Sequence, residues 1–566
     1  MQSKVPLFMV LVTLFSFQSM SAEAGSVTLA WDANTEPDVT GYIVHYGPQS
    51  GSYAGQVDVG NQVQFVVPGL TSGQQYFFAV QAYNSSGLKS ALSAEVSGIV
   101  PADPAGTPTP TGDDPTVTEF PETTPPPLPQ PSPTSSGAER NYLSEGATGT
   151  FFDLDVSLAN TGTATAAATV RFMKEDGSTV QQTYDLPAQS QRVIHVDTVA
   201  GLESGGVATS VDAPPSVVAE RTMFWDQNAY GGHSSASVRT PSTTWYFAEG
   251  AQGYFDTFLL LANPGASPAS VTLYFLREKG GVVTKSVTVA PTSRLTLFAG
   301  DIKPLVNRSF STVVNSSVPI IAERAMYFGN TPLWSGGHES AGVAAPSKTW
   351  FHAEGATGPF FDTYILIGNP GSTRADVQLT FLLESGASIV KRYNVAAYQR
   401  LTVDVEDADR RLANAAVSVA VDSSVPVVSE RTMYWPGAAT TWTEGHNSFG
   451  VPKTSTKWGL AEGRVGGSLG FETFILLANP GATTANVRLT FLRSSGTPIV
   501  KTVSVGQSSR HNVYVNSLVP ELEGQTFGTV IESTNGVPLA VERAMYWNAL
   551  GQAWAGGTNV VAIPLQ

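Results

Sequence analysis

The chain has 566 residues, a formal net charge of −15, 42% hydrophobic residues and no cysteine. The absence of cysteine excludes disulfide bridges and thiolate metal sites. The acidic charge is spread along the chain, which disfavours binding to a phosphate backbone. We therefore expect no nucleic-acid partner.

Residues 1–24 have the three parts of a secretory signal. Lys4 precedes a mostly apolar run from Val5 to Phe17, and Ala22-Glu-Ala24 provides small residues for cleavage. This run is too short to span a bilayer, and no later apolar run is long enough to do so. We expect an exported protein, extracellular or associated with the cell surface, without a transmembrane anchor. Export without disulfides favours a bacterial or archaeal source.

Residues 25–100 alternate apolar and polar positions in short runs, which predicts a small antiparallel sandwich. Trp31, the segment Leu70-Thr-Ser-Gly-Gln-Gln-Tyr76 and Ala82-Tyr83 resemble the fibronectin type III family. The resemblance implies a spacer or protein-contact domain. Residues 101–139 follow with 12 prolines among 39 residues, which predicts a semi-stiff linker.

The remaining residues contain four copies of two motifs. A Glu-Gly motif opens each copy, as in Tyr246-Phe-Ala-Glu-Gly250, and a Glu-Arg motif lies near its end, as in Glu323-Arg-Ala-Met-Tyr-Phe328. The predicted repeats are 140–243, 244–348, 349–456 and 457–566. Repeats of this length are long enough to hold separate cores. Each reads as short strands divided by turns with almost no helix, so we predict an all-β protein of tandem β-sandwiches, arranged as a row of beads.

By these motifs the four copies resemble an uncharacterised β-repeat of secreted bacterial and archaeal proteins. The resemblance covers about three-quarters of the chain, and it implies no established activity.

The arginine of each Glu-Arg motif is the first candidate site residue. Alternation along the strand places it on an apolar face, and a buried charge must be paired. The partner that we predict is the glutamate of the Glu-Gly motif in the same repeat, as a structural ion pair and not a catalytic acid. The predicted pairs are Arg221 with Glu145, Arg324 with Glu249, Arg431 with Glu354, and Arg543 with Glu462.

Nine tryptophans near the ends of the repeats form the second candidate set. Exposed, they are a candidate platform for stacking on sugar rings; buried, they are packing residues, the interpretation we favour. They are Trp225, Trp245, Trp334, Trp350, Trp435, Trp442, Trp458, Trp547 and Trp554.

Histidine recurs at one position, as His233, His338 and His446, with Thr558 in the fourth repeat. One histidine per repeat favours a turn residue over a zinc ligand. The common catalytic and phosphate-binding motifs are missing, so we expect no catalytic residues, no metal site and no cofactor.

The function expected from the sequence is that of a non-enzymatic protein of the cell surface or extracellular matrix. Tandem repeats would act in adhesion or structure by multiplying weak contacts with a surface protein or polysaccharide. The alternative is a carbohydrate-binding accessory protein that uses the junction tryptophans. A more remote alternative is a hydrolase, with the altered opening of the fourth repeat, Arg464 to Gly470, as the place for its site.

Overall fold

The computed structural model describes residues 12–15, 25–31, 34, 38–62, 64–70, 74–84, 88–99, 139–226, 228–330, 333–436 and 442–565. They belong to two compact units, divided after residue 114. The predicted linker, apart from residue 139, and the predicted cleavage site of the export signal lie outside the described residues. Within the part of the chain that is described, no helix is long and apolar enough to cross a membrane.

The first unit is a two-sheet β-sandwich. One sheet has the order β1-β2-β5 and the other β4-β3-β6-β7, with Trp31, Tyr42 and Phe78 buried between them. Strand β1 belongs to the predicted export signal, so cleavage after Ala24 would remove it and leave β2 at the sheet edge. The strands are β1 (Val12–Phe15), β2 (Gly25–Trp31), β3 (Val39–Gly47), β4 (Gly55–Gly60), β5 (Gln64–Leu70), β6 (Gln75–Asn84) and β7 (Val96–Ile99).

The second unit contains the four repeats, and each contributes two antiparallel sheets. The first two repeats comprise β8 (Glu139–Leu143), β9 (Ala147–Thr148), β10 (Phe152–Asn160), β11 (Ala166–Lys174), β12 (Thr179–Leu186), β13 (Ser190–His195), β14 (Gly205–Ala213), β15 (Val217–Trp225), β16 (Gly231–Ala236), β17 (Ser242–Phe247), β18 (Phe255–Asn263), β19 (Ala269–Arg277), β20 (Val282–Val289), β21 (Ser293–Phe298), β22 (Phe310–Asn330) and β23 (Leu333–Ala341).

The third and fourth repeats follow the same order. They comprise β24 (Ser347–His352), β25 (Asp362–Asn369), β26 (Ala375–Leu383), β27 (Ser388–Val395), β28 (Gln399–Asp404), β29 (Val417–Trp435), β30 (Glu444–Phe449), β31 (Lys457–Leu460), β32 (Arg464–Val465), β33 (Glu472–Asn479), β34 (Ala485–Arg493), β35 (Ile499–Val505), β36 (Ser509–Tyr514), β37 (Gln525–Ser533), β38 (Ala540–Ala549), β39 (Gln552–Val561) and β40 (Ile563–Pro564). Among the described residues, helix is confined to short turns: α1 (Val405–Ala408), α2 (Val515–Leu518) and 3-10 turns at Val196–Thr198, Ala299–Asp301, Lys303–Leu305 and Pro520–Leu522.

The first repeat shows the plan of the sandwich. Its sheets have the strand orders β12-β11-β14-β8 and β13-β10-β15-β16. In the second and third repeats a single long strand, β22 or β29, runs through both sheets. The final segment of each repeat returns to its opening strand, as in the bond from the Tyr142 N–H to the Val238 carbonyl at 2.8 Å. The predicted all-β sandwich fold is confirmed.

The four repeats close into a ring. The last strand of one sheet in each repeat, β16, β23, β30 or β39, lies innermost and packs between the inner strands of both neighbours. We name the contacts between successive repeats junctions 1–2, 2–3, 3–4 and 4–1. Junction 4–1 joins the two ends of the array, with Arg543 Nη1 2.8 Å from Glu220 Oε2 and Arg464 Nη2 2.6 Å from Asp155 Oδ2.

The expectation of separate beads in a row is therefore wrong. Strand β15 is buried at all nine positions, because one face covers the interior of its own repeat and the other contacts a neighbouring repeat. One apolar core also runs continuously through the second and third repeats. A repeat on its own would expose buried charge as well as apolar surface.

Closure predicts a compact particle. Residues 139–566, expressed alone, should scatter X-rays with a radius of gyration of about 22 Å, the value for a globular chain of that length. A row of independent sandwiches would give a clearly larger radius and a rod-like scattering curve. Small-angle X-ray scattering on the monodisperse fragment measures the difference, and a rod-like curve would contradict the ring.

Candidate functional site at the repeat junctions

The four predicted ion pairs place their partners side by side in the interior. The four arginines have no exposed surface. The nearest distances from a guanidinium nitrogen to a carboxylate oxygen are 2.7 Å for Arg221 with Glu145, 3.4 Å for Arg324 with Glu249, 3.4 Å for Arg431 with Glu354 and 3.7 Å for Arg543 with Glu462. Arg324 and Arg543 also donate to the backbone carbonyls of Glu249 and Glu462, at 3.0 and 2.8 Å. These glutamates precede the backbone turn that follows each opening strand, so the pairs join the two ends of each repeat.

A second carboxylate, from the next repeat around the ring, completes each arginine site. It is the glutamate of the next Glu-Arg motif, and at three junctions it is the nearer partner: 2.7 Å for Arg324 with Glu430, 2.8 Å for Arg431 with Glu542 and 2.8 Å for Arg543 with Glu220. At junction 1–2 the equivalent distance, from Arg221 to Glu323, is 3.7 Å. Each Glu-Arg motif therefore binds its own repeat through arginine and the preceding repeat through glutamate.

The same glutamates also hold the backbone of the preceding repeat. The N–H groups of Ser144 and Glu145 donate to Glu323 at 2.9 and 2.7 Å, and the N–H group of Ala461 donates to Glu220 at 2.6 Å. Burial raises the pKa of Glu220 to about 7, although Arg543 opposes the shift. Removing one partner of such a group leaves a buried charge unpaired, which costs about 3–5 kcal/mol.

The three histidines are buried, and each contacts a tyrosine of the next repeat. The histidine Nε2 lies 3.1 Å from the tyrosine hydroxyl in His233 with Tyr327, His338 with Tyr434 and His446 with Tyr546. Each tyrosine hydroxyl donates in turn to the glutamate of the preceding Glu-Gly motif, at 3.0 to 3.1 Å. The predicted turn role is therefore wrong, because the histidines lie within the inner strands and link two repeats.

Junction 4–1 lacks both members of this contact. Phe224 stands in place of the tyrosine and Thr558 in place of the histidine. The Thr558 hydroxyl instead accepts the N–H group of Ser234 at 2.7 Å. A buried histidine without a hydroxyl partner would keep an unsatisfied donor, so the two replacements compensate for each other.

Six of the nine candidate tryptophans are fully buried: Trp225, Trp245, Trp350, Trp435, Trp458 and Trp547. The interpretation of these six as a ligand platform is wrong, because none has an exposed face. Trp245 and Trp350 donate their indole N–H groups to carbonyls within their own sandwich, those of Ile320 and Val427, both at 2.9 Å. Trp435 and Trp547 donate across a junction to the carbonyls of Trp554 and Ala229.

The other three tryptophans are half-buried at equivalent positions of three junctions. Trp334, Trp442 and Trp554 each stack on the tyrosine of their own repeat, with ring centroids 4.7, 4.5 and 4.8 Å apart. An aromatic residue of the preceding repeat meets each indole edge-on, at 6.2 Å for Phe151, 6.1 Å for Tyr254 and 5.7 Å for Phe360. Tyr254 and Phe360 are 43% and 37% exposed, so these clusters reach the surface.

A cleft of about 220 Å³ lies beside the cluster at junction 1–2. Its aromatic lining includes Trp334, and its polar lining includes Glu145, Glu175, Arg294 and Thr296. Arg294 Nε lies 3.8 Å from Glu175 Oε1, and Arg294 Nη2 donates to Thr296 Oγ1 at 2.7 Å. The combination of an aromatic wall with a polar edge resembles the chemistry of many small-ligand sites.

At junctions 2–3 and 3–4 the sequence keeps this combination. Arg400 and Arg510 occupy the place of Arg294, and each donates to a carbonyl of the preceding Glu-Gly motif, that of Gly250 at 3.0 Å and that of Gly355 at 2.5 Å. Glu278 and Glu384 correspond to Glu175 and act electrostatically on these two arginines. Three junctions therefore share an arginine and a glutamate at equivalent positions.

At junction 4–1 the space is filled by the opening segment of the fourth repeat. The Arg464 guanidinium lies 5.0 Å from the centre of the Phe224 ring and 5.4 Å from that of Phe471. It also pairs with Asp155 and Glu462, both at 2.6 Å. The segment that we considered as the place for a hydrolytic site thus contributes to ring closure through a cation-π contact and two ion pairs.

Glu145, His233 and Glu339 at junction 1–2 lie close enough to hold a metal ion. However, Arg221 already binds both carboxylates at 2.7 Å. At the other junctions the place of Glu339 is taken by residues such as Asn447, whose Nδ2 donates to Glu249 at 2.9 Å. Burial raises the pKa of Glu339 well above its ordinary value, so a protonated carboxyl can supply the donor that asparagine supplies elsewhere. The cluster fits a proton better than a metal ion.

The fold and the junctions define an all-β protein in which a small sandwich precedes a closed ring of four sandwich repeats. Residues 13–99 match the fibronectin type III domain, a domain typical of extracellular proteins. Residues 214–516, more than half of the chain, match the family described as "Family of unknown function (DUF5719)". The chain belongs to that family.

Comparison with other proteins gives only distant similarity. No curated protein sequence matches the chain. A structure from Thermotoga maritima, described as Thermotoga maritima 1070, is 19% identical over 18% of this chain and 94% of that chain, with a TM-score of 0.17. An alpha-L-rhamnosidase from Streptomyces avermitilis is 12% identical over 75% and 57%, with a TM-score of 0.14. A tetra-tandem repeat from the extending region of a large adhesion protein is 10% identical over 79% and 100%, with a TM-score of 0.12. None of these scores carries an argument about function.

The compensating replacements at junction 4–1 predict energetic coupling at junction 1–2. His233→Thr or Tyr327→Phe alone should destabilise the ring by about 1–3 kcal/mol, because each leaves a buried polar group without its partner. The double variant should cost less than the sum, with a coupling energy of about 1 kcal/mol or more. Chemical denaturation of the four proteins measures this, and strict additivity would contradict the direct contact.

Glu339→Asn should stabilise the ring increasingly as the pH rises. The pKa of Glu339 is raised in the folded state, so the proton stabilises the fold at low pH, and this contribution is lost as the pH rises through the folded-state pKa. The stability difference between E339N and wild type should therefore grow from pH 5 to pH 8 in denaturation experiments. Glu521→Gln, a change at an exposed position, is the control. A pH-independent difference would show that Glu339 is ionised throughout.

Proposed function

We propose that this protein is an exported, non-enzymatic surface-attachment protein whose ring acts as one rigid head with three equivalent contact sites. The observation that supports this proposal is the recurrence of a half-exposed aromatic cluster at junctions 1–2, 2–3 and 3–4. Each cluster contains a tryptophan, its stacked tyrosine and an aromatic residue of the preceding repeat. The fibronectin type III domain and the export signal predicted from the sequence support a location outside the cytoplasm.

Ring closure changes how multivalency would operate. A row of beads on a flexible chain would search for contacts independently, whereas clusters on a closed ring keep fixed separations. Fixed geometry lets the second and third contacts form without further ordering cost when the target surface repeats at a matching distance. A regular polymer on a cell surface is such a target.

Carbohydrate is the ligand class that the cleft chemistry favours. Sugar rings present C–H faces to aromatic side chains and hydroxyl groups to charged side chains and amides. At junction 1–2 the cleft provides the edge of Trp334 together with Glu175, Arg294 and Thr296. Its volume of about 220 Å³ suits a single sugar residue better than a folded protein segment.

The proposal predicts graded loss of binding when exposed aromatic residues are removed. Tyr254→Ser and Phe360→Ser should each weaken retention on an immobilised polysaccharide several-fold, and the double variant should lose most of it, because avidity depends on simultaneous contacts. The measurement is a panel of insoluble polysaccharides with soluble-sugar competition. Val500→Ser removes an equally exposed apolar side chain outside the clusters and is the matched control. The proposal would be contradicted if all variants were retained equally and the fibronectin type III domain alone accounted for the binding.

A further inference from the structure

One glutamate side chain enters the ring axis where the other three repeats have glycine. The inner strands begin with Gly231-Gly-His233, Gly336-Gly-His338, Glu444-Gly-His446 and Gly556-Gly-Thr558. Glu444 is completely buried, and burial raises its pKa well above its ordinary value. In the part of the chain that the structure describes, no arginine or lysine forms an ion pair with it. What surrounds this carboxyl group is backbone from all four repeats.

The second glycine of each inner strand directs its N–H group to Glu444. The N–H groups of Gly337 and Gly445 donate to Oε1 at 3.0 and 2.9 Å. The N–H groups of Gly232 and Gly557 lie near the same carboxyl group and act against the rise of its pKa. Converging backbone N–H groups form a common anion-binding arrangement in proteins. The remaining oxygen, Oε2, has no hydrogen-bond partner.

The glycines at these positions are required by the packing of the ring. A Cβ atom at Gly232, Gly337 or Gly557 would lie 3.0, 3.2 or 2.7 Å from an indole ring of the preceding repeat, that of Trp547, Trp225 or Trp435. These contacts fix the peptide planes, and with them the directions of the N–H groups. The donor ring is therefore preorganised by the buried tryptophans and does not depend on Glu444 for its shape.

Only one repeat can supply the central side chain. A Cβ atom at Gly336 would lie 2.7 Å from the Glu444 Cα and 2.6 Å from the Thr443 carbonyl oxygen. A second glutamate would also bring a second buried carboxyl group into the same space, which would be strongly unfavourable. The presence of glutamate in one repeat and glycine in the other three thus matches a site with room for one carboxyl group.

We propose that the ring axis is a binding site for one carboxyl group, lined by four glycine N–H groups, and that Glu444 is its built-in ligand. A side chain of the protein itself thus occupies a site in which a small free carboxylate would otherwise fit. The ligand class follows from the geometry, because donors from four directions suit a compact acceptor with two oxygens. Because the carboxyl group bonds to the second and third repeats and faces backbone of the first and fourth, it also stabilises ring closure.

The test is replacement of the built-in ligand by a free one. Glu444→Gly gives the third repeat the Gly-Gly-His sequence already present in the first two. The full-length E444G protein should unfold at a lower temperature than wild type, and formate should raise that temperature by several degrees in a saturable manner. Wild type should not respond to formate beyond the effect of ionic strength, which a matched series with a bulky organic anion measures.

Direct binding gives an independent result. Titration with formate should show one site per E444G chain and none in wild type. The exposed change Asp376→Asn in the same repeat is the control and should behave as wild type does. A formate response that is absent from E444G, or equal in E444G and wild type, would overturn the proposal.

If E444G does not fold, amide hydrogen exchange in a second variant tests the proposal. Glu444→Gln keeps the volume and one acceptor oxygen, but its NH₂ group opposes the donor ring. The amides of Gly232 and Gly557, which belong to other repeats, should then exchange faster by about tenfold or more, because repulsion by the NH₂ group makes the ring axis open more often. Unchanged exchange at these two amides in folded E444Q would overturn the assignment.

Discussion

The ring depends on a buried arginine held between carboxylates of two successive repeats. Neither partner is exposed to solvent, so the cost of removing the charges from water is recovered only when both repeats are in place. This constraint makes the repeats interdependent in a way that apolar packing alone would not, because apolar surfaces tolerate some misfit and an unpaired buried charge does not. The remaining contacts at each junction, from histidine to tyrosine and from indole to glycine, are arranged around this ion pair.

The amino-acid pattern predicts the sandwich fold and one of the two carboxylate partners of each buried arginine, the glutamate of its own repeat. Alternation placed Arg324 on an apolar face, and the repeated Glu-Gly motif offered Glu249 as its partner. Alternation also places Glu323 on the opposite face of the same strand. In the structure that face is equally buried, because the preceding repeat covers it. A pattern that repeats every two residues shows which residues share a face, but it does not show what covers each face.

Ring closure can be recognised in the sequence when residues of different motifs, in the first and the fourth repeat, are compared. Phe224 and Thr558 belong to different motifs at opposite ends of the array, and each looked like an isolated departure from the repeat. Their meaning emerges only when the first repeat is placed beside the fourth. Gln191 belongs to the same group, since it stands where the other repeats have Arg294, Arg400 and Arg510. Because three replacements occur together at junction 4–1, they indicate the place where the ring closes and not random sequence divergence.

Junction 4–1 also sets a temporal order for biosynthesis. The carboxyl group of Glu220 leaves the ribosome hundreds of residues before Arg543, its partner across junction 4–1. During that interval the first repeat has no neighbour on one side, and its exposed inner strand β16 can pair with the wrong chain. Contacts between such distant positions form slowly. A nascent chain of this kind would benefit from a holding factor, or from staying extended until its last strands have been synthesised.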